Sequence, residues 1–154
     1  MLAVCGCGYH LSSMAPIALP EGITRLALDN VRQPSTEPWM EPYLRRNLRD
    51  EFRRRGQVEW VGSKAAQGLF QVTITSYADT GTRKASDEDT VKSEVRVTGE
   101  ARILDADTSA LLWESDPVHS NVSYQTNTQS GTQAGKEAVE DFVQRLADRL
   151  GSDF

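Results

Sequence analysis

A chain of 154 residues with 38% apolar and 25% charged side chains is one domain at the polar end of the globular range, long enough to enclose a core without disulfides. The 17 basic and 22 acidic side chains leave a net charge of −5, which removes any general electrostatic reason to bind nucleic acid. No apolar run approaches the roughly 20 residues of a membrane-spanning helix, and two cysteines, Cys5 and Cys7, make no disulfide framework.

The first seven residues, Met1 to Cys7, are small and apolar and stop at a cysteine followed by Gly8. They resemble the end of a bacterial lipoprotein signal, with Gly6 before the cysteine and Val4 three positions back from it. Cleavage is expected before Cys7, which then carries the lipid. Such an anchor holds a domain at a membrane surface by about 0.8 kcal/mol per buried methylene, with no spanning helix. Residues 8–22 read as a tether, because Ser12, Ser13, Pro16 and Pro20 oppose regular structure.

The first strand is expected over Ile23–Asp29, ending at Asn30. A helix should start near Thr36 to Pro38, where Thr can cap and Pro suits the first turn. Met40, Leu44, Leu48 and Phe52 recur at i, i+4 and form its apolar stripe, and Gly56 ends it. A short strand follows over Gln57–Val61, then a third over Leu69–Tyr77 with Phe70, Val72 and Ile74 on one side. Ala78–Asp89 is polar and reads as a loop. The fourth strand has the cleanest alternation: Val95, Val97, Gly99, Ala101 and Ile103 against Glu94, Arg96, Thr98, Glu100 and Arg102.

The stretch from Asp105 to Ala110 is a turn, and Leu111–Ser115 is the returning strand. That strand resumes at Val118–Tyr124 beyond Pro117, at an edge or a bulge. After a polar loop over Gln125–Gln133, Val139, Phe142, Val143, Leu146 and Leu150 mark a closing helix with Gly151 after it. Two one-stripe helices need a common partner surface, and a sheet with one apolar face supplies it. The expected fold is therefore α+β: a two-layer sandwich over residues 23–151, with both helices on one face of a mixed four- to five-stranded sheet.

The chemical inventory argues against an enzyme. His10 and His119 are the only histidines, neither has metal-ligand spacing, and there is no nucleophile elbow or phosphate loop. No catalytic residue, metal or cofactor is assigned. Asp105, Asp107, Glu114 and Asp116 read as solvated turn carboxylates. The charge anomaly is the first helix, with Arg45, Arg46, Arg49, Arg53, Arg54 and Arg55. This face reads first as a solvated exterior with pairs such as Glu41–Arg45 and Asp50–Arg54. The alternative is a surface for phosphates or anionic headgroups, which arginine grips with a two-pronged fork. Trp39, Trp60 and Trp113 are expected to pack in the core.

Cys7-Gly-Tyr-His-Leu11 followed by Leu19-Pro-Glu-Gly-Ile23 resembles the start of the LptE family of LPS-assembly lipoproteins. Also similar are the Thr-Glu-Pro38 loop, the helix ending Glu51-Phe-Arg-Arg-Arg-Gly56, and Leu111-Leu-Trp-Glu114 after an Asp-rich turn. The resemblance implies a non-enzymatic protein, lipidated at Cys7 and held on the periplasmic face of the Gram-negative outer membrane. Members plug the lumen of a large β-barrel, LptD, assist its assembly, and contact lipopolysaccharide during transport to the cell surface. Gly8, with no Asp there, agrees with outer-membrane retention. By chemistry alone, Arg83, Lys84, Arg96 and Arg102 are candidates to meet lipid A phosphates.

Two other readings compete. A periplasmic regulatory lipoprotein that activates a cell-wall enzyme can share the strand–helix–strand opening. It needs a long reach, whereas about fifteen tether residues span at most about 50 Å, which favours a partner close to the membrane. A hydrolase would need Asp105, His119 and a serine to converge in one pocket.

Overall fold

The alternation along residues 94–103 organises the molecule. A computed structural model describes residues 16–34, 37–84 and 91–153. In it Val95, Val97, Gly99, Ala101 and Ile103 are buried, while Arg96, Glu100 and Arg102 are exposed and Glu94 and Thr98 lie between. They belong to a long strand, Val91–Asp105, with one dry face and one wet face. In chain order the elements are β1 (Arg25–Arg32), α1 (Met40–Arg55), β2 (Glu59–Trp60), β3 (Gly68–Lys84), β4 (Val91–Asp105), β5 (Leu111–Glu114), β6 (Val118–Gln125) and α2 (Gly131–Ser152).

These strands form one mixed sheet in the order β2-β1-β3-β4-β5, with β6 also on β4. β1 runs parallel to β2 and β3, and the pairs of β4 with β3, β5 and β6 are antiparallel. The two helices pack on each other, α1 against β1 and α2 against β4 and β6. Phe52, Phe70, Phe142, Leu44, Leu48 and Leu146 are fully buried in the layer between helices and sheet. This is the expected two-layer α+β sandwich.

The sheet has six strands rather than four or five. Residues 115–117 split the last predicted strand, and Pro117 lacks the N–H that would continue the ladder. Ser115 still binds β4, its amide to Ala101 O and its hydroxyl from the Ala101 amide, so β5 and β6 lie end to end along one side of β4. The predicted loop over Ala78–Asp89 is strand as far as Lys84, in register from Ala78↔Arg96 to Lys84↔Val91. A backbone ladder needs no apolar side chains once a neighbour sets the register, and Thr80 adds a hydroxyl bond to Glu94 O.

Element boundaries moved for identifiable reasons. β1 passes Asn30 through a register shift between Leu28 and Asn30, so Val31 returns to the core. α1 starts at Met40 behind a turn in which the Met40 amide binds Glu37 O; Thr36 lies outside the described residues. Gly56 ends it with φ +81°, a value other residues rarely adopt. α2 starts earlier than predicted, with Ser130 Oγ accepting from the Gln133 amide, and continues through Gly151 to Ser152. Its last turn is held from outside, because Trp113 Nε1 donates to Asp153 Oδ2 at 3.0 Å.

Cys5, Cys7, His10 and residues 8–15 of the predicted tether lie outside the described residues. In the rest of that segment Ile17 is fully buried, Pro20 is buried, Leu19 packs against the core, and Pro20–Gly22 forms a short 3-10 turn. The folded unit therefore includes Ile17 and does not begin at Ile23, because Ile17 supplies apolar surface to the same core.

Candidate functional site

The sheet face opposite the helices carries the polar half of each strand. β3 contributes Gln71, Thr73 and Thr75, β4 contributes Glu94, Arg96, Thr98, Glu100 and Arg102, and β6 contributes His119, Asn121 and Ser123. Side chains across neighbouring strands bond to one another. Arg102 Nε donates to Gln71 Oε1 at 2.9 Å, and Gln71 Nε2 donates to Asp29 Oδ2 at 2.8 Å, joining β4, β3 and β1. Thr98 Oγ1 and His119 Nδ1 are 3.0 Å apart. Arg96 Nη2 pairs with Glu94 Oε1 at 2.7 Å, with the arginine 62% exposed. The face is hydrophilic and mixed in sign, with Asp29, Glu94, Glu100 and Glu114 beside the two arginines.

The four basic residues singled out from sequence do not form one cluster. Arg96 and Arg102 share this face but are six positions apart on β4, about 20 Å at strand rise. Arg83 and Lys84 lie at the far end of the β3–β4 hairpin, where Arg83 is in register with Lys92. The hairpin thus strings basic positions along its length.

The arginines of α1 divide into two groups. Arg45 pairs with Glu41 at 3.0 Å, as its spacing suggested, whereas Arg54 pairs with Glu51 rather than Asp50. Arg55 is buried, its side chain 1% exposed, and bonds Glu51 Oε1 at 2.7 Å, Asp148 Oδ1 at 2.6 Å and Gln144 O at 3.2 Å. Burial alone would lower its pKa; the bonds to Asp148 and Glu51 outweigh that and hold it above the ordinary arginine value. Arg46 lies over the Tyr43 ring, 4.9 Å from its centroid. Arg49 and Arg53 make no ion pair among the described residues and flank a groove of about 350 Å³ with Leu28, Trp60, Val61 and Gly62.

The family model for LptE, described as lipopolysaccharide-assembly, matches residues 23–154. The chain belongs to the LptE family. No curated protein matches its sequence. Solved structures share the fold of this LptE-family chain at low identity. A PelC dodecamer from Paraburkholderia phytofirmans has a TM-score of 0.59 at 11% identity, over 88% of this chain and 93% of that one. An uncharacterised lipoprotein B from Nitrosomonas europaea has a TM-score of 0.54 at 14%, over 88% and 90%. A minor lipoprotein from Acinetobacter baumannii has a TM-score of 0.51 at 13%, over 85% and 92%. At these identities the likeness shows the fold alone.

In this LptE-family chain the groups that a hydrolase would need lie apart. His119 faces Thr98 on the open sheet, while Asp105 caps the β4–β5 turn, accepting from the Asp107 and Thr108 amides and the Thr108 hydroxyl. Those bonds, the Thr108 amide first, hold the Asp105 carboxyl below its ordinary pKa. Among the described residues no three His, Cys, Asp or Glu side chains gather as a metal site. The tryptophans serve packing: Trp39 against Tyr43 and Tyr77, Trp60 against Phe52 and Phe70, and Trp113 in the core. Sequence reasoning missed Arg55 as a buried group, although its spacing carried the signal. It falls three residues after Phe52 and seven after Leu48, on the stripe itself.

Proposed function

We propose that this chain is an outer-membrane lipoprotein, lipidated at Cys7, that occupies the lumen of an LptD-like β-barrel, assists its assembly and contacts lipopolysaccharide in transit. The observation that carries this reading is the LptE family match over residues 23–154. The architecture is compatible with it. A domain with a wet, hydrogen-bonding sheet face suits a water-filled barrel interior, where apolar surface would have no partner. Among the described residues no helix is long and apolar enough to cross a membrane; the proposed attachment is the lipid on Cys7. Two of the fold relatives are described as lipoproteins. With Ile17 seated in the core, about ten residues separate it from Cys7, a reach of at most about 36 Å. That length keeps the domain near the membrane and argues against a regulator reaching a distant cell-wall enzyme.

The test is co-purification from the native host, with the full lipoprotein signal in place and a C-terminal tag. Mild detergent extraction of the outer membrane is expected to yield a near-equimolar large β-barrel. Cys7→Ala is expected to move the protein out of the membrane fraction. Elution with a cell-wall synthase and no barrel would replace this reading with the regulatory one.

Within it, Arg83, Lys84, Arg96 and Arg102 are proposed to meet lipid A phosphates. Arg96→Glu with Arg102→Glu is expected to weaken LPS binding at least fivefold while moving the melting temperature by no more than about 2 °C, because exposed pairs contribute little to stability. Undiminished LPS binding by the folded double variant would remove those two arginines from the site.

A further inference from the structure

β6 is an edge strand. Its one strand partner among the described residues is β4, so the N–H and C=O of every second residue along Val118–Gln125 point away from the sheet. An edge of this kind pairs with another strand unless charge, proline, shortness or a bulge prevents it. The other edges carry those guards. β2 is two residues long, and β1 beyond it has the register shift between Leu28 and Asn30 beside Asp29 and Arg32. The outer half of β3 has two register shifts together with Asp79, Arg83 and Lys84. β5 is four residues long and runs on into Asp116 and Pro117. β6 carries none of these guards. Its eight residues, Val118-His-Ser-Asn-Val-Ser-Tyr-Gln125, contain no Asp, Glu, Lys, Arg or Pro and stay in unbroken register with β4.

We propose that β6 pairs with β6 of a second copy of this chain, antiparallel about a two-fold axis through Val122, joining two six-stranded sheets into one. The axis stands perpendicular to the sheet, so both helix layers lie on the same side and each face meets its like. The β4–β6 register selects this occupant and this alignment. On the dry face Val122, packed against the core and opposite Val95, meets Val122 of the second copy and continues an apolar row across the seam. On the wet face Asn121 meets Ser123 and His119 meets Gln125, all exposed side chains that can hydrogen-bond. Asn121 stands opposite Arg96 on β4 and Ser123 opposite Glu94. The row through Asn121 and Ser123 therefore begins at Arg96 of one copy and ends at Glu94 of the other. An axis through Asn121 would instead end that row in arginine on both sides and set Val122 against Ser120, so charge and apolar pairing both select Val122. The strand's complementarity is to itself, which distinguishes a second copy from an unrelated strand. The pairing uses the backbone edge of β6 and does not rest on the barrel reading.

The experiment is sedimentation velocity of the full, unlipidated chain from micromolar to millimolar concentration, where a reversible monomer–dimer equilibrium is expected. Asn121→Lys with Ser123→Lys sets lysine against lysine twice across the seam and is expected to weaken dimerisation at least tenfold. Asn121→Glu with Ser123→Lys sets glutamate against lysine twice, and suits Arg96 and Glu94 on β4 as well. It is expected to dimerise at least as tightly as the unaltered chain. Both variants change exposed positions only, so their melting temperatures are expected to stay within about 2 °C of the unaltered chain, which separates a lost contact from a lost fold. Hydrogen exchange gives a reading that needs no variant: amides of Val118–Gln125 are expected to exchange more slowly as concentration rises. A chain that stays monomeric throughout, a dimer indifferent to the double lysine, equal weakening in both variants, or exchange in β6 that ignores concentration would each overturn the proposal. None of these results touches the barrel reading, which has its own test in co-purification.

Discussion

Arg55→Ala is expected to destabilise the fold by about 3–5 kcal/mol, the range for removing one partner of a buried ion pair. The guanidinium is 1% exposed and ties α1 to α2 through Asp148 Oδ1 and Gln144 O, while bonding Glu51 on its own helix. Removing it leaves the Glu51 carboxylate, itself 8% exposed, with only the half-exposed Arg54 for company. It also opens a gap between the helices where the arginine stem packed. The measurement is urea unfolding, with a lower midpoint and an unchanged slope. Arg55→Met keeps most of the volume and loses the charge; with Glu51→Gln added, it should recover a large part of the loss, since replacing a buried pair by uncharged groups is often close to neutral. A loss below about 1 kcal/mol in Arg55→Ala would mean that water reaches the pair and that the α1–α2 contact is held by apolar packing alone.

Phe142→Ala is expected to cost a similar 3–5 kcal/mol, here through a cavity. Its ring is fully buried at the centre of α2's apolar stripe and covers β4 where that strand has Gly99 at an inward-facing position. A methyl group on Gly99 would lie 3.0 Å from the Phe142 ring tip, 3.1 Å from Ile74 Cδ1 and 2.7 Å from Thr73 O. For a chain of this length such a loss lowers the melting temperature by roughly 2–4 °C per kcal/mol. Gly99→Ala is expected to destabilise as well, by about 1–3 kcal/mol from overpacking. Phe142→Leu should not rescue it, because the tightest contact is to the backbone carbonyl of Thr73, which a smaller side chain on α2 does not move. A full rescue would show instead that the aromatic ring sets the limit at Gly99.

Both effects stem from the same layer, and they bear on function through it. The wet sheet face that carries Arg96 and Arg102 is the outer side of the sheet whose inner side Phe142 packs, so a variant that loosens this layer disturbs that face as a whole. Substitutions at Arg96 and Arg102 change only the outer side, which makes them the cleaner probes of LPS contact.

Much of this architecture follows from local pattern. The period of two along residues 94–103 determines which side of β4 is dry. The i, i+4 stripes of Met40–Phe52 and Val139–Leu150 determine that two helices each have one face to bury, and together these require two layers. The resemblance carried by the opening motif and the arginine-rich helix led to the family that the match over residues 23–154 establishes.

Tertiary structure alone decided the remainder, because it depends on what stands opposite each residue. Ala78–Lys84 is polar enough to be a loop, yet its ladder partners on β4 keep it extended. Ile17 looks like part of a linker until the core beneath it is seen. Six arginines on one helix are alike in sequence, but α2 brings Asp148 to one of them and buries it, while the short edge strand β2 brings Trp60 and Val61 beside Arg49 and Arg53, which form no ion pair among the described residues. Periodicity encodes which way a side chain points from its own element. The partner it meets, and therefore whether a charge is structural or free to bind, is set by the packing of other elements against it.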